Sequence, residues 1–200
     1  MDAHFSEVGA VQAALVAGDL EATREPARWL AEHDQHPDLP QGVNSPMEDL
    51  RAFARSVLRA ASVADAARCT GEMAAACGRC HAAAGNGPTF RMTSMAPSGE
   101  TTTGHMMRHD WAMERMWEGL VGPSDRLWEM GATALTADPI FVGGDERGGQ
   151  EAMQLAREVH DLGATARTQE PEHRAGIYGR LLTTCARCHQ LVGIDVRVAR

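Results

Sequence analysis

Apolar residues recur along this chain at spacings of three and four, and breakers cut the recurrence into segments of helical length. Phe5, Val8, Val11 and Leu15 predict a helix from about His4 to Ala17, stopped by Gly18-Asp19. A second segment runs from Leu20 to His33 and ends before a loop holding Pro37 and Pro40. Ser45-Pro46 opens a third, in which Met47, Leu50, Phe53, Val57, Leu58 and Ala61 form a core-facing stripe. A fourth runs from about Val63 through His81. The order then repeats. Helices are predicted from about His105 to Leu120, stopped by Gly122-Pro123, and from Ser124 to about Thr136. Leu155, Val159, Leu162 and Ala166 mark one face of the next, and the last opens near Pro171 and carries Ile177, Leu181, Cys185 and Cys188. The expectation is an all-α chain of two tandem four-helix bundles, residues 1–83 and 105–200. Residues 84–104 join them, with Gly-Asn-Gly-Pro and Ser-Gly-Glu-Thr-Thr-Thr as helix breakers. The loop around Val142 to Asp145, with the turn Arg147-Gly148-Gly149, lacks the spacing of a phosphate-binding loop.

Composition strengthens the helical reading, because 33 alanines and 11 methionines stand against 9 aromatics, 12 valines and 3 isoleucines. No run of eighteen apolar residues occurs, so no transmembrane segment is expected. All 19 basic residues are arginine, which excludes a lysine Schiff base, an amine nucleophile and a ring of docking lysines. A formal charge of -8 without a basic run argues against nucleic acid and anionic membrane surfaces. It suits a protein partner with a basic docking surface.

Four of the five cysteines form two copies of one pattern, Cys77-Gly78-Arg79-Cys80-His81 and Cys185-Ala186-Arg187-Cys188-His189, set 108 residues apart. C-x-x-C-H is the attachment pattern of a c-type haem. Two thiols one helical turn apart can form thioethers with the two vinyl groups on one porphyrin edge, and the adjacent imidazole then reaches the iron. A dithiol redox site belongs beside a strand, whereas both copies follow alanine-rich helical sequence. A zinc site made from both pairs would leave the two following histidines unexplained. The expected cofactors are therefore two covalently attached haem c groups on Cys77, Cys80, Cys185 and Cys188, with His81 and His189 as iron ligands. Cys69 reads as a small buried hydrophobe.

A helical bundle with C-x-x-C-H near the end of its fourth helix resembles the class II cytochromes c, the family of cytochrome c′ and its six-coordinate relatives. The segment Tyr178 to His189 is similar to that family's terminal helix, and the resemblance covers roughly residues 3–83 and 105–192. It implies a haem between the first and last helices of each bundle, with any sixth ligand near the start of the first helix. Counting back from the stop signals gives His4, fourteen residues before Gly18, and His109, thirteen before Gly122. The expectation is bis-histidine coordination, His81 with His4 and His189 with His109. His105, Met106 and Met107 remain alternatives, while Met113 reads as a core filler. His33, His36, His160 and His173 share no repeat position with another histidine and read as solvated. Cys77 to Phe90 also resembles the start of a class I cytochrome c, in which Met92, Met95 or Met106 would be the sixth ligand of the first haem.

Arg79 and Arg187 occupy the same slot in both motifs, where a guanidinium suits a haem propionate as well as plain solvation. Trp29, Trp111, Trp117 and Trp128 read as core or haem-packing residues. Six-coordinate haem carries electrons, so the expected function is electron transfer between redox proteins, with no catalytic residue. An open distal face would instead give a gas-binding cytochrome c′-like protein, and one open, catalytically furnished haem a peroxidase-type enzyme. Bacterial haem attachment takes place outside the cytoplasmic membrane. Met1-Asp2-Ala3 is not the start of an export signal, so the expectation is a periplasmic protein whose leader is absent from this sequence.

Overall fold

A computed structural model describes residues 2–33, 42–90, 95–98, 100–137 and 149–193. The expectations for Pro37, Pro40, His36, Met92, Val142 to Asp145, Arg147 and Gly148 lie outside these residues. Among the described residues every regular element is a helix. They are α1 (Asp2–Val16), α2 (Arg24–Glu32), α3 (Asn44–Arg59), α4 (Val63–Ala84), α5 (Thr102–Val121), α6 (Asp125–Leu135), α7 (Gly149–Ala166) and α8 (Arg174–Val192). None of these is long and apolar enough to cross a membrane.

Local chemistry sets the ends. The Ser62 hydroxyl accepts from the Asp65 amide at 3.1 Å and starts α4, and Thr101 does the same for α5 through the Gly104 amide at 3.0 Å. The Thr101 cap starts α5 earlier than the apolar periodicity from His105 indicated. Gly85 (φ 68°) and Gly193 (φ 67°) end α4 and α8 in the left-handed conformation that glycine tolerates. The expected helix from Leu20 to His33 is divided: a 3-10 turn, Glu21–Thr23, precedes α2, and the Asp19 carboxylate accepts from the Ala22 amide at 2.9 Å.

Helices adjacent in sequence pack together in each half, and the halves meet through an extensive α4–α8 contact. Gly71 and Gly179, set by the same 108-residue offset as the two motifs, make that contact close. A Cβ on Gly71 would lie 2.2 Å from the Ala175 carbonyl oxygen, and one on Gly179 would lie 2.9 Å from that of Ala67. Tyr178, fully buried beside this crossing, ties three helices. Its hydroxyl accepts from Gln12 Nε2 of α1 at 2.6 Å and donates to the Met113 carbonyl of α5 at 3.4 Å. One apolar cluster runs through both halves, from Val8, Val11 and Leu15 to Met116, Leu181 and Leu182. Cys69 is buried in it, as a small hydrophobe would be.

Gly71→Ala should destabilise the fold by about 1–3 kcal/mol through overpacking, despite the better helix propensity of alanine. Gly9→Ala, on α1 with open space around the added Cβ, should be neutral or stabilising by up to about 1 kcal/mol. Thermal melts of both variants check the contrast, and equal melting temperatures would contradict the close crossing.

Candidate functional site

Both C-x-x-C-H motifs lie in the last turns of the two helices that cross, α4 and α8. This position shapes their chemistry. The negative end of a helix dipole disfavours thiolate, and burial pushes the Cys77 and Cys185 thiols up to about 12, with Cys80 and Cys188 also raised. A dithiol redox centre works through a lowered thiolate pKa, which is the opposite arrangement.

The two motif histidines are held alike. His81 Nδ1 lies 2.7 Å from the Val121 carbonyl oxygen, and His189 Nδ1 lies 2.9 Å from that of Val16. A carbonyl can only accept, so each Nδ1 carries a proton, the tautomer that in a neutral imidazole leaves the lone pair on Nε2. This is the usual way that a metal-binding imidazole is oriented. The acceptors are the last residues of α5 and α1, so each histidine is oriented by the opposite half of the chain. Gly78, inside the first motif, permits the approach: a Cβ there would lie 2.2 Å from the Leu120 carbonyl oxygen. No periodicity or spacing pointed to this crosswise pairing.

Beside Cys77, Cys80 and His81 lies a cavity of about 700 Å³ with largely apolar walls. His4, Phe5 and Val8 of α1 line it, with Met47 and Leu50 of α3 and Trp117 and Val121 of α5. Four residues singled out in the sequence, Cys77, Cys80, His81 and His4, thus share one cavity of the size that holds cofactors. The His4 ring meets Trp29 edge-on at 5.2 Å and His33 at 5.0 Å, while His33 stacks on Trp29 at 4.0 Å. Burial, then the charge of His33, lowers the His4 pKa to about 4. The imidazole is therefore neutral near pH 7 and able to ligate a metal.

In the second half His109 keeps 9% of its surface, and its Nε2 has no hydrogen-bond partner among the described residues. Burial lowers its pKa to about 3, with further contributions from His105, His160, Arg108 and His189. His109 therefore lies within electrostatic range of His189, its expected partner. Counted from the two carbonyls that orient the motif histidines, His4 is twelve residues before Val16 and His109 twelve before Val121. That shared offset is closer than the one from the glycine stops.

His160 was expected in solvent, but the structure places it half-buried on α7 with its ring 5.5 Å from those of both His105 and His109. The repeat comparison passed over it because it has no counterpart in the first half. His33 and His173 are exposed. Met95 is almost fully exposed and Met107 largely so, Met106 is half-buried, and Met113 lies in the core. Arg79 pairs with Asp49 of α3 at 2.9 Å and Arg187 with Glu151 of α7 at 3.9 Å, a parallel between the halves. Trp117 and Trp128 are buried and Trp29 and Trp111 half-buried.

Comparison of the chain with models of protein families, with curated proteins and with solved structures found no match.

The depressed histidine pKa values make stability depend on acid. Below pH 6.5 the unfolded chain binds protons that His4, His105 and His109 refuse in the fold, so stability falls as pH drops from about 6.5 towards 4. Urea midpoints of the chain should fall across that window, and His109→Leu should flatten the fall. Midpoints that do not change with pH there would contradict neutral buried imidazoles.

Proposed function

We propose that this chain is a dihaem c-type cytochrome that carries electrons between redox proteins. The observation that carries the reading is the pair of Nδ1–carbonyl bonds. Each motif imidazole is fixed with Nε2 free, beside two neutral thiols. The residues fit the group: two thiols, an oriented imidazole and, in the first half, a second imidazole lining the same apolar cavity. Attachment adds each S–H across a vinyl group, forming the S–C bond with no net change of protons or electrons.

In this reading Cys77 and Cys80 hold one haem and Cys185 and Cys188 the other. His81 and His189 would each supply one imidazole to an iron, and His4 and His109 would supply the second. When bound, each haem supplies a one-electron ferric–ferrous couple. The protein's part is to keep His4 and His109 neutral, fix the orientation of His81 and His189 and line the first site with apolar side chains. Two protein ligands to each iron would favour carrying electrons over catalysis, and histidine rather than methionine would lower the potential. The finer architecture proposed is two class II-like bundles whose haem-bearing helices cross, each site being completed by a helix from the other half. Haem attachment assigns the protein to the periplasm. Propionates added to a chain at -8 strengthen the case for a basic docking surface on the partner.

Co-expression with a haem-attachment system should give two thioether-linked haems per chain by pyridine haemochrome assay. Ferric spectra should be low-spin, and the reduced protein should not take up carbon monoxide within minutes. Absence of covalent haem overturns the reading. High-spin spectra with immediate carbon monoxide binding at both haems would keep the cofactors and overturn the bis-histidine carrier.

A further inference from the structure

We propose that the two haem sites differ in kind: the second iron can draw its sixth ligand from three imidazoles, His105, His109 and His160, whereas among the described residues the first has the single imidazole of His4. This rests on the dihaem reading and deepens it. His105 and His109 stand four residues apart on α5, so they share a face, and their rings are 4.2 Å apart. His160 reaches the same point from α7 and stacks nearly parallel to His105, at 6° and 5.5 Å. One ligating nitrogen from each lies within 4.8 Å of the others. Three imidazoles converging in this way form a donor set for a transition metal, in which His105 would first exchange the bond that its Nδ1 accepts from Arg108 at 3.1 Å. The partnerless Nε2 of His109 gives that set a vacant valence in a buried position.

The iron of the second haem is the occupant that the repeat geometry favours, because His109 stands twelve residues before Val121 as His4 stands twelve before Val16, and His4 lines the cavity of the first motif. A haem tethered through Cys185 and Cys188 keeps its iron beside the set even when one ligand is lost. Another imidazole then needs only a local shift of a few ångströms and no unfolding of α5 or α7. Among the described residues the first site shows no second distal imidazole in reserve. Of its cavity-lining residues, only His4 and His81 are histidines, and the neighbouring His33 is exposed and stacked flat on Trp29.

The test uses the full dihaem protein, with electron paramagnetic resonance of the ferric state and carbon monoxide uptake by the reduced state. His4→Ala should turn half of the haem high-spin and open that half to carbon monoxide. His109→Ala should leave all haem low-spin with altered g-values, and His105→Ala/His109→Ala/His160→Ala should open the second half. The double variant His105→Ala/His160→Ala, which keeps His109, should remain low-spin and controls for folding. If His109→Ala alone opens half of the haem, His109 is the sole ligand and the reserve is overturned while the dihaem reading stands. A triple variant that stays low-spin removes all three from the ligand set. Uptake of one Zn²⁺ per chain by the low-spin dihaem protein, lost in His160→Ala, would assign the imidazoles to a separate ion and overturn the proposal.

Discussion

Two helices can approach to backbone contact only where side chains are absent on both, and this molecule is organised around one such place. At Gly71 and Gly179 the backbones of α4 and α8 are too close to admit a methyl group. A central crossing lets the two C-terminal turns diverge. Each then meets the end of the first helix of the other half, α5 for His81 and α1 for His189. Tyr178 reinforces the junction by bonding to α1 and α5 at once. The motifs are thus positioned by a contact formed six residues upstream of each first cysteine.

The polar contacts around the sites are unequal in weight. Arg79–Asp49 and Arg187–Glu151 join partly exposed side chains, and such pairs contribute roughly 0–1 kcal/mol. The imidazole–carbonyl bonds are half-buried and join rigid helix ends, so they fix ring orientation as well as lower energy. Burial keeps His4, His105 and His109 neutral, which is the state in which imidazole binds metal.

Much of the helical order was legible in the sequence because its signals are local. Apolar periodicity and the stop signals at Gly18 and Gly122 act within a few residues of where they stand. That Cys77, Cys80, His81 and His4 share one cavity agrees with an expectation that rested on the family resemblance, which sets the start of the first helix against the motif, and on the helix length that then picked out His4. Non-local contacts were not legible. The partners of His81 and His189 sit on the opposite half, and an internal repeat cannot distinguish packing within a half from exchange between halves. His160 was invisible for a related reason: convergence with His105 and His109 is made by the packing of α7, and no residue at the matching place in the first half marks it. The 3-10 turn before α2 escaped because Asp19 competes for the Ala22 amide through its side chain, which periodicity does not register.

The crosswise bonds also make the two sites unequal in time. His81 is followed by its acceptor 40 residues later, whereas His189 bonds to a carbonyl made 173 residues earlier. By the logarithmic cost of loop closure, that difference of about two doublings adds roughly 1.2 kcal/mol of chain entropy to the second bond. It also places that bond beyond the reach of any folding that precedes completion of α8. The N-terminal helix therefore emerges from synthesis carrying an acceptor for a residue not yet made, and the second site matures last although its motif matches the first.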